Sequence, residues 1–256
     1  MKAMILAAGL GTRLRPLTND RPKALVELAG HTLLEITLTR LRSIGIHDVI
    51  VNAHHFADMI VDYLHANRNF GMNVQVSREE DLLDTGGGIK HAAPFFLHAD
   101  REAPFLVHNV DIVSTIDLRR MIRFHTENRS LATLAAQDRK TSRYLLFDEQ
   151  GRLCGRRIGS AEEEAIAQQM EPSQTAHQIQ ALAFSGVHVL SPRIFESMDE
   201  RISFSIIDTY LRLAALGENI AAFRADDAYW RDLGRPESIT QAADDLALGR
   251  FSIEQH

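Results

Sequence analysis

The sequence predicts an α/β protein, a Rossmann-like, mostly parallel mixed sheet flanked by helices with an inserted β-hairpin. Three observations predict it. Apolar extended runs alternate with helical periodicities over the first 111 residues; two extended runs then lie side by side with only a turn between them; and no linker, repeat or low-complexity tract interrupts the chain, so residues 1–256 read as one domain. In order, Lys2 to Leu6 is a short buried strand. Leu33 to Ile44 sets Leu34, Leu38 and Leu41 at helical spacing, and Gly45 stops that helix before the strand Asp48 to Ala53. Ala57 to Asn67 reads as helix, Asn73 to Ser77 as strand, Gly87 to Phe96 as helix and Pro104 to Asp111 as strand. A helix over Asp117 to Asn128 and a strand over Leu131 to Gln137 follow. The order then changes, because Arg143 to Asp148 and Gly151 to Arg157 form a hairpin on the turn Glu149-Gln150. Residues 160–178 are polar and acidic, which predicts an exposed loop or short helix. Ala181 to Leu190 returns to the sheet, and Ser205 to Leu216 and Pro236 to Leu248 are amphipathic helices.

Composition narrows the function classes. A hydrophobic content of 45% supports a full core without staples, and a formal charge of −6 excludes a general nucleic-acid or membrane-surface binder, both of which need a broad basic face. Any anion site must therefore be local. The single cysteine, Cys154, cannot make an internal disulfide, the apolar run at the N-terminus is too short for a signal-peptide core, and no stretch is long enough to span a membrane. These features predict a cytoplasmic protein, monomeric or a small homo-oligomer.

In an open parallel sheet, ligands bind outside the carboxyl ends of the strands, and the unusual residues collect there. After the first strand, Ala7-Ala8-Gly9-Leu10-Gly11 carries so little side chain that a ligand can approach its backbone, and Thr12, Arg13, Arg15, Arg21 and Lys23 surround it with only Asp20 opposing. The pattern is not a dinucleotide fingerprint, since the third glycine is replaced by Leu14 and no acidic residue ends the strand Asp48 to Ala53. Nor is it a Walker loop, as no Gly-Lys-Ser/Thr occurs. A stretched amide-bearing loop with an arginine and a proline-presented lysine suits a triphosphate. The adjacent His54-His55 pair lacks the spacing of a zinc site.

Five motifs, in order, carry a resemblance over nearly the whole chain: Leu6 to Arg13 with Pro22-Lys23, Asp84-Thr85-Gly86-Gly87-Gly88, Asn109-Val110-Asp111, Phe184 to Leu190, and Trp230 to Gly234. Together they resemble the sugar-1-phosphate nucleotidylyltransferases. Within that family, the Thr-Gly-Gly-Gly loop and compact length look most like the N-acetylmuramate-1-phosphate uridylyltransferases, of cell-wall nucleotide-sugar biosynthesis, and the mannose-1-phosphate guanylyltransferase-like enzymes. The resemblance implies attack of a sugar 1-phosphate on the α-phosphorus of a nucleoside triphosphate, with release of pyrophosphate and no covalent enzyme intermediate. It implies Lys23, Arg13 and Asp111 as catalytic residues and Mg²⁺ as cofactor, held by Asp111 and Asp232 as an otherwise unpaired couple of carboxylates. The nucleotide would meet Ala7, Ala8, Gly9, Gly11, Thr12, Arg13 and Lys23, with Glu80, Thr85, Gly86 and Gly87 near the base. Asn109, Gly186 and Glu171 would face the sugar phosphate.

One family feature is absent. Many members carry Glu-Lys-Pro before the sugar-site strand, whereas Glu171-Pro172 here lacks the lysine, so Arg143, Arg156 or Arg157 of the hairpin is the expected substitute. Within the resemblance the expected substrates are UTP and an N-acetylmuramate-type amino-sugar 1-phosphate. The alternatives are GTP with mannose or heptose 1-phosphate, CTP with phosphocholine, and a non-catalytic nucleotide-sugar sensing subunit.

Overall fold

The computed structural model describes residues 1–98, 102–159, 164–166, 179–198 and 201–253. In chain order the first half contains β1 (Lys2–Leu6), β2 (Glu27–Leu28), β3 (His31–Thr32), α1 (Leu33–Ser43), β4 (Asp48–Ala53), α2 (Ala57–Ala66), β5 (Asn73–Arg78), α3 (Asp84–His91), α4 (Ala93–Leu97), β6 (Phe105–Asn109), β7 (Ile112–Ser114) and α5 (Leu118–Glu127). The second half contains β8 (Ala132–Gln137), β9 (Arg143–Phe147), β10 (Leu153–Ile158), β11 (Glu164–Ile166), β12 (Gln180–Leu190), α6 (Ile206–Ala215), β13 (Ile220–Arg224), β14 (Trp230–Asp232) and α7 (Pro236–Ala247).

The central sheet runs β11-β10-β9-β12-β6-β1-β4-β5, with β8 and then β13 branching from β12. Strands β6, β1, β4 and β5 are mutually parallel, so their carboxyl ends share one edge. Strand β12 runs antiparallel to β6, β8 and β9 and joins the two halves. Apolar residues of β1 alternate between two cores: Ala3 and Ile5 pack on one face of the sheet with α1, Met4 and Leu6 on the other with α6. Burial on both faces explains why β1 reads as a continuous apolar run.

The helix ends follow sequence chemistry. Thr32 caps α1 by accepting from the Glu35 amide at 3.1 Å, and Asp117 caps α5 by accepting from the Arg120 amide at 2.8 Å. Gly45 ends the first helical unit at φ 88°. The helix expected from Gly87 starts earlier, at Asp84, and divides at Ala92, next to Pro94, which has no amide to continue the ladder. Within the polar tract 160–178, residues 164–166 form an edge strand on β10, in place of the expected loop or helix. Strands β13 and β14 were not anticipated; β13 pairs parallel with β8 and β14 pairs antiparallel with β7.

Candidate active site

The carboxyl ends of β1, β4, β5 and β6 open on a cleft of about 210 Å³. Its wall is tied together by one buried asparagine. Asn52, at the end of β4, accepts the Ala7 amide at 2.7 Å and donates to Glu79 Oε1 at 2.6 Å, while Glu79 Oε2 accepts the Leu83 amide at 3.2 Å. Gly11 sits at φ 63° and leads into a short helical turn, Thr12–Leu14, whose Thr12 and Arg13 are exposed. A Cβ at Gly11 would lie 3.0 Å from Thr18 Cγ2 and 3.3 Å from Lys23 Cβ, so glycine here allows both the backbone angle and the close approach of Lys23.

Of the nucleotide-side candidates, four differ in placement from the expectation, Ala7, Glu80, Gly86 and Gly87, and four others stand at this cleft. Ala8, Gly9, Lys23, Thr85 and Asp111 line it. The Ala7 amide is already bonded to Asn52, so it is not a free phosphate donor. Glu80 is exposed, and its neighbour Glu79 is the residue on the cleft wall. Gly86 and Gly87 do not present backbone to a base: both amides bond to Phe204 O, at 2.9 and 3.3 Å, and both residues lie beneath the segment 202–204. A Cβ at Gly86 would come within 2.4 Å of the Phe204 ring, and one at Gly87 within 2.3 Å of Ile202 O. The glycines are there to let that segment cross the helix.

Lys23 Nζ lies 2.9 Å from Asp111 Oδ2, and both side chains are largely buried. Asp232 reaches the same place through the β7–β14 ribbon. It pairs with Ile112, the residue after Asp111, and the Leu233 amide donates to Asp111 O at 2.8 Å. Arg40 of α1 holds the ribbon from behind, donating to Ser114 Oγ at 2.8 Å and to Ile116 O at 2.5 Å; burial lowers its pKa to about 10. Asp232 Oδ1 accepts the Gly234 amide at 2.7 Å, and Arg13 Nη2 and Asp232 Oδ1 both crowd the face of Gly234, at 2.8 and 2.7 Å from where a Cβ would be. Two of the expectations meet here, with one amendment: Asp111 is not an unpaired carboxylate, because Lys23 neutralises it. Among the described residues Asp111 Oδ1 and Asp232 Oδ2 make no hydrogen bond or ion pair, a donor set of hard oxygens that fits Mg²⁺. Among the described residues no group of three or more His, Cys, Asp or Glu forms a denser site, so the protein would supply two ligands and leave the rest to water and phosphate oxygens.

Beyond Asp232, a polar cavity of about 440 Å³ is lined by Arg13, Trp230, Arg231, Asp232, Arg235 and Ser238. On the sugar side, Gly186 breaks β12 at φ 73°, and Asn109 Nδ2 stands 3.0 Å from its Cβ position, which unites those two candidates. The hairpin arginines divide. Arg156 is paired with Asp208 of α6 at 2.6 Å. Arg157 faces the Tyr144 ring at 4.8 Å, and Arg143, opposite Ile158, falls on the Arg156 face of the hairpin and not with Tyr144. Glu171 lies outside the described residues.

A model of the nucleotidyl transferase family matches residues 2–248. The chain belongs to the nucleotidyl transferase family. The N-acetylmuramate alpha-1-phosphate uridylyltransferase of Caulobacter vibrioides is 33% identical over 254 residues, covering 96% of each chain. The D-glycero-alpha-D-manno-heptose 1-phosphate guanylyltransferase of Aneurinibacillus thermoaerophilus is 29% identical and covers 96% of this chain and 98% of its own. The crystal structure of HddC from Yersinia pseudotuberculosis complexed with GMP-PN shares the fold at a TM-score of 0.72, with 24% identity over 96% of this chain and 99% of that one.

In this nucleotidyl transferase, two residues of the cleft wall escaped sequence reasoning, Asn52 and Glu79, and Arg139 lies outside every motif quoted above. Asn52 left a signal, a polar residue at the carboxyl end of an otherwise apolar strand, DVIVNA. Glu79 was indistinguishable from its acidic neighbours. Arg139 follows β8 in a run of charged residues, and only the tertiary structure places it over Trp230, with its Cζ 3.5 Å from the ring centroid.

Proposed function

We propose that this chain is a magnesium-dependent sugar-1-phosphate nucleotidyltransferase, and that its substrates are UTP and an N-acetylmuramate-type 1-phosphate. The observation that carries the reading is the Lys23–Asp111 contact at 2.9 Å, with Asp232 beside it across the ribbon, at the mouth of a cleft built from strand ends. A phosphate oxygen of the sugar phosphate forms a bond to the α-phosphorus while the bond from that phosphorus to the bridging β-oxygen breaks, and pyrophosphate leaves. The nucleophile comes from the substrate, so the protein needs cations and positioning. Cys154 offers no alternative nucleophile: it is buried, and burial pushes its thiol up to about 11.

Asp111 and Asp232 would hold Mg²⁺, which supplies Lewis-acid neutralisation of phosphate oxygens. Lys23 is the cation nearest the small-residue loop, its Nζ 3.6 Å from the Cβ position of Gly9, where an α-phosphate can meet it. Arg13, exposed beside Gly234, is placed for the outer phosphates and the leaving pyrophosphate. Similarity over the full length of the Caulobacter vibrioides uridylyltransferase supports the uridine reading.

A second reading, GTP with a heptose or mannose 1-phosphate, is favoured by a different observation. Glu79 and Asp84 both line the cleft, and two carboxylates suit the adjacent N–H donors of guanine better than the single imide N–H of uracil. Pyrophosphate release over four nucleoside triphosphates crossed with N-acetylmuramate, mannose, heptose and glucose 1-phosphates, plus phosphocholine, decides between them. Turnover with UTP and the N-acetylmuramate ester alone is the expected result, and preference for GTP overturns it. Tight nucleotide-sugar binding with no turnover would leave only the sensing role.

A further inference from the structure

We infer that Arg139 is the residue that holds the phosphate of the sugar 1-phosphate, taking the place of the lysine missing from the Glu-Lys-Pro pattern. The inference rests on the reading of the chain as a sugar-1-phosphate nucleotidyltransferase. Arg139 is a half-buried guanidinium with no carboxylate bonded to it among the described residues. Its Nη2 donates to Phe184 O at 2.8 Å, its plane lies over Trp230, and its Nε is buried with no hydrogen-bond partner. Of five N–H donors, one carbonyl accounts for one. A half-buried cation left with so few acceptors is costly, and an anionic ligand that meets the remaining Nη donors offsets part of that cost.

Position points to the same ligand. Trp230 and Asp232 are two residues apart on β14, so their side chains share a face, and Asp232 is close enough to act on the Arg139 charge without an ion pair. Trp230 is itself fixed, its indole N–H donating to Ser185 O at 2.9 Å, next to Gly186. Arg139 is therefore a clamped fork between the strand that carries Gly186 and the aspartate expected to hold the metal. That is where the attacking phosphate must lie, and a guanidinium can hold it by two oxygens. The hairpin alternatives are weaker: Arg156 is bound to Asp208, Arg157 lies over Tyr144, and Arg143 is on the far face.

The test uses Arg139→Gln, Arg139→Lys and, as control, Arg123→Gln on the exposed face of α5. Steady-state constants are measured with N-acetylmuramate 1-phosphate and UTP, or with whichever substrates the grid selects. Arg139→Gln is expected to raise KM for the sugar phosphate about tenfold to a hundredfold and to leave KM for the nucleotide within about twofold, the scale of one charged hydrogen-bond set. Arg139→Lys restores part of the loss, and Arg123→Gln stays at wild-type values. A purely structural role would instead change both constants together, lower the melting temperature and show no rescue by lysine. That result overturns the inference, as do wild-type constants in Arg139→Gln. If the wild-type enzyme releases no pyrophosphate with any sugar phosphate, the functional reading fails first and the assignment falls with it. An Arg139→Gln effect confined to the nucleotide sinks the assignment alone.

Discussion

The side of this site proposed for the nucleotide and the side proposed for the sugar phosphate are held in different ways. The nucleotide side comes from the carboxyl ends of adjacent parallel strands and is fixed by hydrogen bonds among buried groups, Asn52 joining the loop after β1 to Glu79 after β5. The sugar side is gathered from distant pieces of chain: Arg139 after β8, Phe184 to Gly186 within β12, and Trp230 to Asp232 in β14. It is fixed by a cation on an aromatic face and by two side-chain contacts to β12 carbonyls. A wall of strand ends makes a general nucleotide cleft, while scattered side chains on a long antiparallel strand set what meets the nucleotide. On the proposed reading, substrate choice falls where the chain is least local.

The largest expected effect is at the junction of the two sides. Asp111→Asn and Asp232→Asn should each lower turnover on the order of a thousandfold, since several kcal/mol of transition-state charge stabilisation is removed. The double variant should lose little more than the worse single, because either change disables the same unit. Turnover against magnesium concentration measures this, and losses that multiply would separate the two aspartates. Melting without metal adds a second distinction. Asp111→Asn leaves Lys23 without its counter-ion and should melt lower than Asp232→Asn, which keeps the acceptor for the Gly234 amide.

Next comes Lys23→Ala, expected to cut turnover by at least about a hundredfold with a smaller loss of nucleotide affinity, as a contact that strengthens with developing charge affects rate more than ground-state binding. Calorimetric binding of a non-hydrolysable nucleotide beside kcat is the measurement, and an unchanged kcat would remove Lys23 from the chemistry.

Gly86→Ala tests how the nucleotide wall is supported. Its Cβ would sit 2.4 Å from the Phe204 ring and 2.8 Å from Phe204 O, so a stability loss of about 1–3 kcal/mol is expected, together with a raised nucleotide KM and little change in the sugar-phosphate constant. Urea unfolding and paired KM values check it. Native stability with altered base preference would instead make this glycine a base reader.

The smallest effect concerns the seam between the halves, where His108 of β6 and His188 of β12 are fully buried and burial lowers both pKa values to about 3. In the unfolded chain each titrates near 6.5. Between about 6.5 and about 3 the unfolded chain therefore binds protons that the folded chain does not, and stability falls as pH falls through that window. His188→Gln should shallow the acid limb of a plot of urea midpoint against pH, relative to wild type, by the share of one group. An unchanged slope would mean that the histidine is not held neutral.

Much of this was legible in the sequence, for physical reasons tied to particular residues. Strand β4 is legible to its bounds because the β-branched run Val49 to Val51 is set off by Gly45 before it, and α1 and α5 are legible within a residue or so because leucine spacing and the cap chemistry of Thr32 and Asp117 are local. Lys23, Arg13 and the small-residue loop were visible because they lie together along the chain. Strand β14 is only three residues long, and its pairing with β7 joins Trp230 to Ser114 and Asp232 to Ile112, residues 116 and 120 positions apart, so no local period announces it. The sequence determined the alternating fold and the family motifs, since both are written in short-range pattern. The tertiary structure decided that the strand of Asp232 pairs beside Asp111, that Gly86 and Gly87 admit the segment 202–204, and that Arg139 leaves the charged run after β8 to lie on Trp230. Those outcomes depend on which surfaces bury one another, and burial is settled only when distant segments have packed.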